Sequence, residues 1–217
     1  MWNILYTSFI NYLVFNLTFY ITNGVLFIID YFNLFTQYKI QQKPYNEIMN
    51  MYVKTISCVL QNTLIYIIPV IGLFSVYELN NTVEFSIKKC IFDLFICRIL
   101  LEILFYTAHR ILHINPLYKY IHKKHHEIHV PIGISSVYMT VSELYIGNII
   151  PLYLPLLIVN AHPITIKLWM VFTTINTILF AHSGFKFLAS AHDYHHLNHN
   201  KNYGTDLFMD HIFGTSY

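Results

Sequence analysis

Charge is scarce in this chain. Asp, Glu, Lys and Arg make up 11% of its 217 residues, against roughly 25% in ordinary soluble domains. Hydrophobic residues account for 55%, and the mean hydropathy is +0.47. So little polar surface excludes an ordinary soluble domain and indicates a polytopic membrane protein, with a length that suits one domain. Cysteine is sparse too. Cys58, Cys90 and Cys97 are odd in number and show no Cys-x-x-Cys spacing, which argues against a disulfide framework and leaves them as small core or lipid-facing residues. No basic block favours nucleic acid. Lys119, Lys123 and Lys124 fit a cytoplasmic, membrane-proximal face better. The opening Met1-Trp-Asn-Ile lacks the basic start of a cleaved signal peptide, so the first apolar stretch is expected to be a retained span.

Apolar runs set the organisation. Ile4–Phe35 and Met51–Tyr77 are long enough to cross a bilayer, which takes about 20 residues. Polar loops holding Pro44 and Leu79–Lys89 follow them. Cys90–Ile114 reads as a third helix, stopped by Asn115-Pro116. Leu117–His129 is basic and histidine-rich, and Pro131-Ile-Gly133 breaks the pattern. Ser142–Val159 and Ile164–Ala181, separated by Asn160-Ala-His-Pro163, read as a helical hairpin. A hairpin returns the chain to the side it left, so the polar stretches before and after it share one face of the membrane. The expected fold is therefore an all-α, polytopic membrane bundle with a cytosolic histidine-rich cap. N-terminal spans are expected over residues 1–84, ahead of a histidine-rich unit over residues 85–217.

Histidine is what the chain has in quantity. Nine of its thirteen histidines fall in three tight groups plus one: His109 and His113; His122, His125 and His126; His182; and His192, His195 and His196. Residues three and four apart share a helix face, so each group can aim two or three imidazoles at a common centre. Neutral imidazole binds zinc, iron, copper and nickel. A mononuclear zinc site needs about four ligands, and nine histidines suit two ions better. Redox-active iron matches a lipid substrate, because an unactivated C–H bond needs an oxidant derived from O2; zinc fits the same ligands in a purified sample. Asp193 and Asp210 are the carboxylates best placed in sequence to orient the rings, with Glu143 a weaker candidate. Each of the two Asp residues could equally serve as a helix cap. His129, His162, His199 and His211 are read as lying outside the ligand set.

The motifs carry a resemblance. His109-Arg-Ile-Leu-His113, Tyr118-Lys-Tyr-Ile-His122-Lys-Lys-His125-His126-Glu127, Ala181-His182-Ser-Gly184-Phe185, His192-Asp193-Tyr-His195-His196, Asn202-Tyr203-Gly204 and Asp210-His-Ile-Phe-Gly214-Thr215 resemble, in type, order and spacing, the fatty acid hydroxylase/sterol desaturase superfamily. The likeness runs from about residue 85 onward and is nearest to the C4-methylsterol oxidase, cholesterol 25-hydroxylase and fatty acid hydroxylase domain-containing branches. It implies a multi-pass endoplasmic reticulum enzyme with a cytosolic di-iron site held by the nine histidines. It also implies O2 as oxidant, and electrons from NAD(P)H through a separate reductase, commonly with cytochrome b5. Lys186 stands where fatty acid 2-hydroxylases often carry a further histidine. Tyr138-Met-Thr-Val-Ser142 replaces an Ala-His-Pro segment of several relatives, so substrate identity does not transfer.

The expected activity is O2-dependent hydroxylation of a sterol or of a fatty-acyl or sphingolipid substrate. Desaturation or aldehyde processing on the same metals, a non-catalytic lipid-binding homologue and a metal transporter are the rivals. A transporter should hold its ligands within spans, whereas these histidines sit at span ends and in loops. A degenerate homologue should have lost ligands, and none of the nine is missing.

Overall fold

A computed structural model describes residues 2–188 and 191–217. Helix α1 runs Trp2–Tyr31, α2 Tyr45–Gln61, α3 Ile68–Asn80 and α4 Ile87–Leu112. A π turn over Asn62–Tyr66 links α2 to α3, so that Tyr45–Asn80 forms one apolar rod. The hairpin follows. Its first arm is α5 (Val141–Glu143), a π turn over Leu144–Ile149 and α6 (Ile150–Ile158); its second arm is α7 (Pro163–Leu179). Short helices α8 (Ala191–His195) and α9 (Phe208–Phe213) close the chain. The fold is all-α as expected, the one extended pairing among the described residues being an isolated bridge between Lys39 and Phe185.

Three helices are long and apolar enough to cross a membrane: Trp2–Tyr31, Tyr45–Asn80 and Val141–Ile158, with Pro163–Leu179 a shorter apolar helix beside them. Helix α4 forms where a third helix was expected. It carries Lys88, Lys89, Asp93, Arg98, Glu102 and Arg110, which is too much charge for an apolar window, and it is not among the candidate spans. Those charges are used internally. Lys89 pairs with Asp93 at 2.7 Å and donates to the Val159 carbonyl at the hairpin turn, while the buried Glu102 receives the C-terminal loop.

Helix α1 is inverted relative to a soluble helix. Leu17, Ile21, Val25 and Ile28 face outward, where lipid tolerates them. Its buried stripe of Asn11, Phe15, Asn16, Phe19, Asn23, Leu26 and Asp30 recurs at three- and four-residue steps and lies against α3 and α7. Asn16 and Asn23 donate to carbonyls four residues back, and Asn11 reaches Ser75 and Glu78 on α3. Polar groups inside a membrane protein face the bundle because hydrocarbon offers them no partner.

The N-terminal helices also brace the histidine-rich cap. Asn62 donates to the carbonyls of Val137 (2.8 Å) and Met139 (3.1 Å). Lys39 is buried with its ammonium 3.0 Å from Asp30, 2.9 Å from the Ser183 carbonyl and 3.8 Å from the centre of the Phe185 ring. Tyr52 donates to the other Asp30 oxygen at 2.8 Å. This network ties the end of α1 to the loop after His182. Removing one member of a buried pair strands the other charge, at a cost of about 3–5 kcal/mol. Lys39→Met is therefore expected to lower the thermal midpoint of the purified protein sharply, and adding Asp30→Asn to recover part of the loss. Equal midpoints for Lys39→Met and the unaltered chain would show that the pair does not hold the loop.

Candidate metal centre

Helix ends and irregular turns deliver most of the histidines. His109 closes α4, and His113 lies just beyond its end. His122, His125 and His126 were read as sharing one helix face; they lie instead on a π turn ending on His122 and then a 3-10 turn over His125–Glu127. Thr140 fastens this segment to the hairpin. Its hydroxyl donates to the Ile121 carbonyl at 3.0 Å and accepts from the Glu143 amide at 3.3 Å. His182 follows α7, and α8 supplies His192 and His195, with His196 next in the chain.

The nine rings converge, and they divide. His109, His113, His122, His126 and His195 form one group; His125, His182, His192 and His196 form the other; in each, the candidate ligand atoms lie within 4.8 Å of one another. The His-x-x-His-His spacing favours the division, which the irregular turns of the segment complete. Residues four apart lie on one helix face, whereas adjacent residues point about 100° apart. His122 and His126 thus enter the first group and His125 the second. The later motif reverses the assignment: His192 and His196 enter the second group and His195 the first. Each group takes a spaced pair from one motif and the odd ring from the other. His109 and His113, again four apart, complete the first, and His182 completes the second.

In the first group the Nε2 atoms face one another. Separations are 3.1 Å for His109 and His122, 3.0 Å for His113 and His122, 2.9 Å for His126 and His122, and 3.0 Å for His113 and His195. In the second, His125 and His182 approach at 3.3 Å. The opposite nitrogens explain the orientation. Nδ1 of His109 donates to the Tyr203 carbonyl (2.7 Å), that of His182 to Thr177 (2.8 Å), that of His195 to Lys201 (2.6 Å) and that of His125 to Tyr138 (3.3 Å). A carbonyl can only accept, so the proton sits on Nδ1 and the Nε2 lone pair points inward. Nδ1 of His122 meets Glu143 Oε1 at 2.6 Å.

These rings are neutral. Burial, reinforced by the neighbouring imidazoles, pulls His113 and His182 down to about 3. Burial alone takes His125 to about 4 against the pull of the Tyr138 carbonyl. Burial first and adjacent rings second hold His122, His126, His192 and His196 well below the usual imidazole range. Lone pairs crowded at 3 Å without protons between them repel, unless a cation sits among them. Two nitrogens bound side by side to one ion at roughly 2.0–2.1 Å lie about 3 Å apart. The donor set, all imidazole with no thiolate, suits a borderline transition metal. His196 is buried with neither ring nitrogen hydrogen-bonded, an arrangement costing about 1–3 kcal/mol that a bound ion would relieve. The residues present therefore fit two ions, one per group.

The carboxylates take different posts. Glu143, the weaker candidate by sequence, is the one whose oxygen meets a histidine ring. Asp193 accepts from the Gly184 amide at 3.3 Å and so holds the turn after His182; burial lifts its carboxyl to about 8, against the opposing pull of that amide and Lys39. Asp210 accepts from the Tyr203 and Gly204 amides and the Thr215 hydroxyl. It thereby fixes the carbonyl that His109 uses, one step removed from the ring. Glu102 receives the amides of Thr205, Asp206 and Met209. Gly204 has no room for a side chain here, since a Cβ would lie 2.9 Å from an Asp210 oxygen. His199 stacks near His126 but bonds the His196 carbonyl, His129 stacks on His199, and His162 caps α7 by accepting from the Ile164 amide. His211 is exposed on α9.

A cleft holding about 730 Å³ of empty space, its open mouth included, abuts both groups. His109 and His122 line it from the first group, and His125, His182 and His192 from the second. Leu101, Phe105, Leu112, Met139 and Leu152 form its apolar wall.

Residues 94–215 match the family described as fatty acid hydroxylase. Among curated proteins, the chain is 40% identical over 127 residues to fatty acid hydroxylase domain-containing protein 2 of Homo sapiens, covering 57% of this chain and 38% of that one. It is 40% identical over 133 residues to fatty acid hydroxylase ahd1 of Mycosarcoma maydis (59% and 34%). To methylsterol monooxygenase 2-2 of Arabidopsis thaliana it is 38% identical over 130 residues (52% and 48%). The chain thus spans between a third and a half of the length of these relatives. No solved structure matches.

Orienting groups behind metal-bound histidines typically support affinity by about 10–100-fold. Glu143→Ala is expected to weaken metal binding by that factor while the protein still inserts, as read by chelator competition. His113→Ala and His196→Ala, one in each group, should each lower bound metal from about two ions per chain toward about one. Unchanged affinity in the first variant, or complete loss of metal in both of the others, would contradict separate sites.

Proposed function

The chain belongs to the fatty acid hydroxylase family, and from that premise we propose that it is a membrane di-iron oxygenase that hydroxylates a lipid of sterol, fatty-acyl or sphingolipid type. O2 is the oxidant, and NAD(P)H supplies electrons through a separate donor such as cytochrome b5 and its reductase. The setting is the endoplasmic reticulum membrane or an equivalent internal membrane, with the metal site facing the cytosol. The observation that carries this reading is the cleft: apolar on one side, and lined on the other by imidazoles of both groups. A hydrocarbon chain there meets two candidate metal positions together.

Iron held by the two groups would supply activation of O2 and an oxidant able to remove hydrogen from an unactivated carbon. The protein's own part is placement and exclusion. Leu101, Phe105, Leu112 and Met139 seat an apolar chain and keep water from the reacting carbon. The backbone carbonyls of Tyr203, Thr177, Lys201 and Tyr138 hold a proton on Nδ1 of their rings, which keeps each Nε2 available as a donor through turnover. Glu143 Oε1 holds the same nitrogen of His122 at 2.6 Å and so orients that ring.

Cells expressing the chain are expected to accumulate an oxygenated lipid carrying one atom from labelled O2. His125→Ala and His195→Ala, which fall in different groups, are each expected to abolish it without loss of membrane insertion. Lipid mass spectrometry under labelled O2 checks this. A product two hydrogens lighter with no label would make the enzyme a desaturase, and activity retained in both variants would exclude the cage as the site.

A further inference from the structure

Of the buried hydroxyls without a hydrogen-bond partner among the described residues, Ser136 Oγ and Thr165 Oγ1, Ser136 lines the metal-side cleft and Thr165 does not. Ser136 also lines a second cleft, of about 470 Å³ with its mouth. That cleft lies beside α1 and the start of α3, walled by Phe15, Phe19, Ile67, Ile149 and Tyr153. The two clefts share Ser136, Asn148, Leu152, Thr173 and Thr177. These five form a neck between the hairpin arms. Leu152 and Asn148 come from the first arm and Thr173 and Thr177 from the second, with Ser136 from the 3-10 turn over Gly133–Val137. On the cage side the neck is contiguous with the ligands, because the Thr177 carbonyl anchors His182.

The polar groups at the neck are unequally committed. Thr173 already donates to the Trp169 carbonyl at 2.8 Å. Asn148 spends its amide on the Met139 sulfur at 3.1 Å, a weak acceptor that a lipid oxygen would displace. Ser136 has no partner. A buried donor in an apolar passage is costly until something accepts from it. Charge is excluded there. Among the described residues and apart from histidine, Arg98 is the one cation lining either cleft, and its guanidinium is paired with Asp206. No side chain of the neck itself offers a carboxylate a counter-ion.

We propose that the two clefts form one lipid passage and that the Ser136 hydroxyl, aided by Asn148, seats a neutral hydrogen-bonding group of the substrate, a hydroxyl or a carbonyl, while the hydrocarbon body lies beside α1. The substrate class is thus an uncharged lipid with a polar oxygen near the oxidised carbon. This rests on the cage being the oxidation site, but the seat is a binding property and is tested without turnover.

The full chain in nanodiscs is irradiated with three diazirine probes of equal length: a long-chain alcohol, the matching carboxylic acid and the matching alkane. The alcohol is expected to label peptides of the apolar cleft best. Ser136→Ala should cut its labelling about three- to tenfold, the worth of one buried hydrogen bond, and leave alkane labelling unchanged. Metal content equal to that of the unaltered chain shows that the variant is folded. The probe ranking in the unaltered chain decides the matter even if the variant is not. Alkane or acid labelling as strong as the alcohol, or a folded Ser136→Ala that labels like the unaltered chain, overturns the seat. His196→Ala separates the two readings. Oxidation retained in that variant would sink the oxygenase assignment while leaving the seat standing, and a flat probe ranking would sink the seat while leaving the oxygenase.

Discussion

The structure depends on how the back of each imidazole is held. Backbone carbonyls of Tyr203, Thr177, Lys201 and Tyr138 each accept from an Nδ1, and Glu143 holds the Nδ1 of His122. That choice of tautomer turns the opposite lone pairs toward one another. Buried lone pairs 3 Å apart are unfavourable alone and favourable around a cation, so the protein invests folding free energy in an arrangement that only a metal ion completes. The remaining architecture secures the carbonyls. Asp210 fixes the loop that bears Tyr203, Asn62 fixes the strand of chain around Tyr138, and Glu102 fastens the C-terminal loop to α4.

Membrane and cage solve opposite problems with one chain. Outside, α1 and the hairpin present apolar side chains; inside, α1 buries Asn and Asp and the hairpin buries Glu and Thr. Each buried polar stripe ends on the cap. The stripe of α1 finishes with Asp30, which holds Lys39 against the loop after His182. The first arm of the hairpin starts with Glu143, which holds His122. The helices apolar enough to span a membrane thus also hold the rings in place. An apolar cleft can then open between the same helices and reach the cage directly.

Much of this was legible in the sequence, for identifiable reasons. The nine ligand candidates could be named because the spacing of His122, His125 and His126, and of His192, His195 and His196, is improbable without a shared centre. The hairpin was visible in two apolar runs parted by Asn160–Pro163. The partition of the rings into five and four was not written in spacing alone, since it depends on π and 3-10 turns between Tyr118 and Glu127 that no periodicity reports. Helix α4 existed as read, but its role as a charged strut followed from Glu102 and Arg98 meeting a loop a hundred residues away. Glu143 looked less promising than Asp193 because its partner, His122, is distant in sequence. Contact there required the Thr140 clasp.

The central claim is that two groups of imidazoles each grip one transition-metal ion. X-ray absorption at the metal edge, on protein purified without added chelator, tests it most directly. The account predicts a first shell of nitrogen and oxygen only, at roughly 2.0–2.2 Å, with imidazole multiple scattering and about two ions per chain. A sulfur shell, or protein that is folded and active with no bound metal, would contradict it.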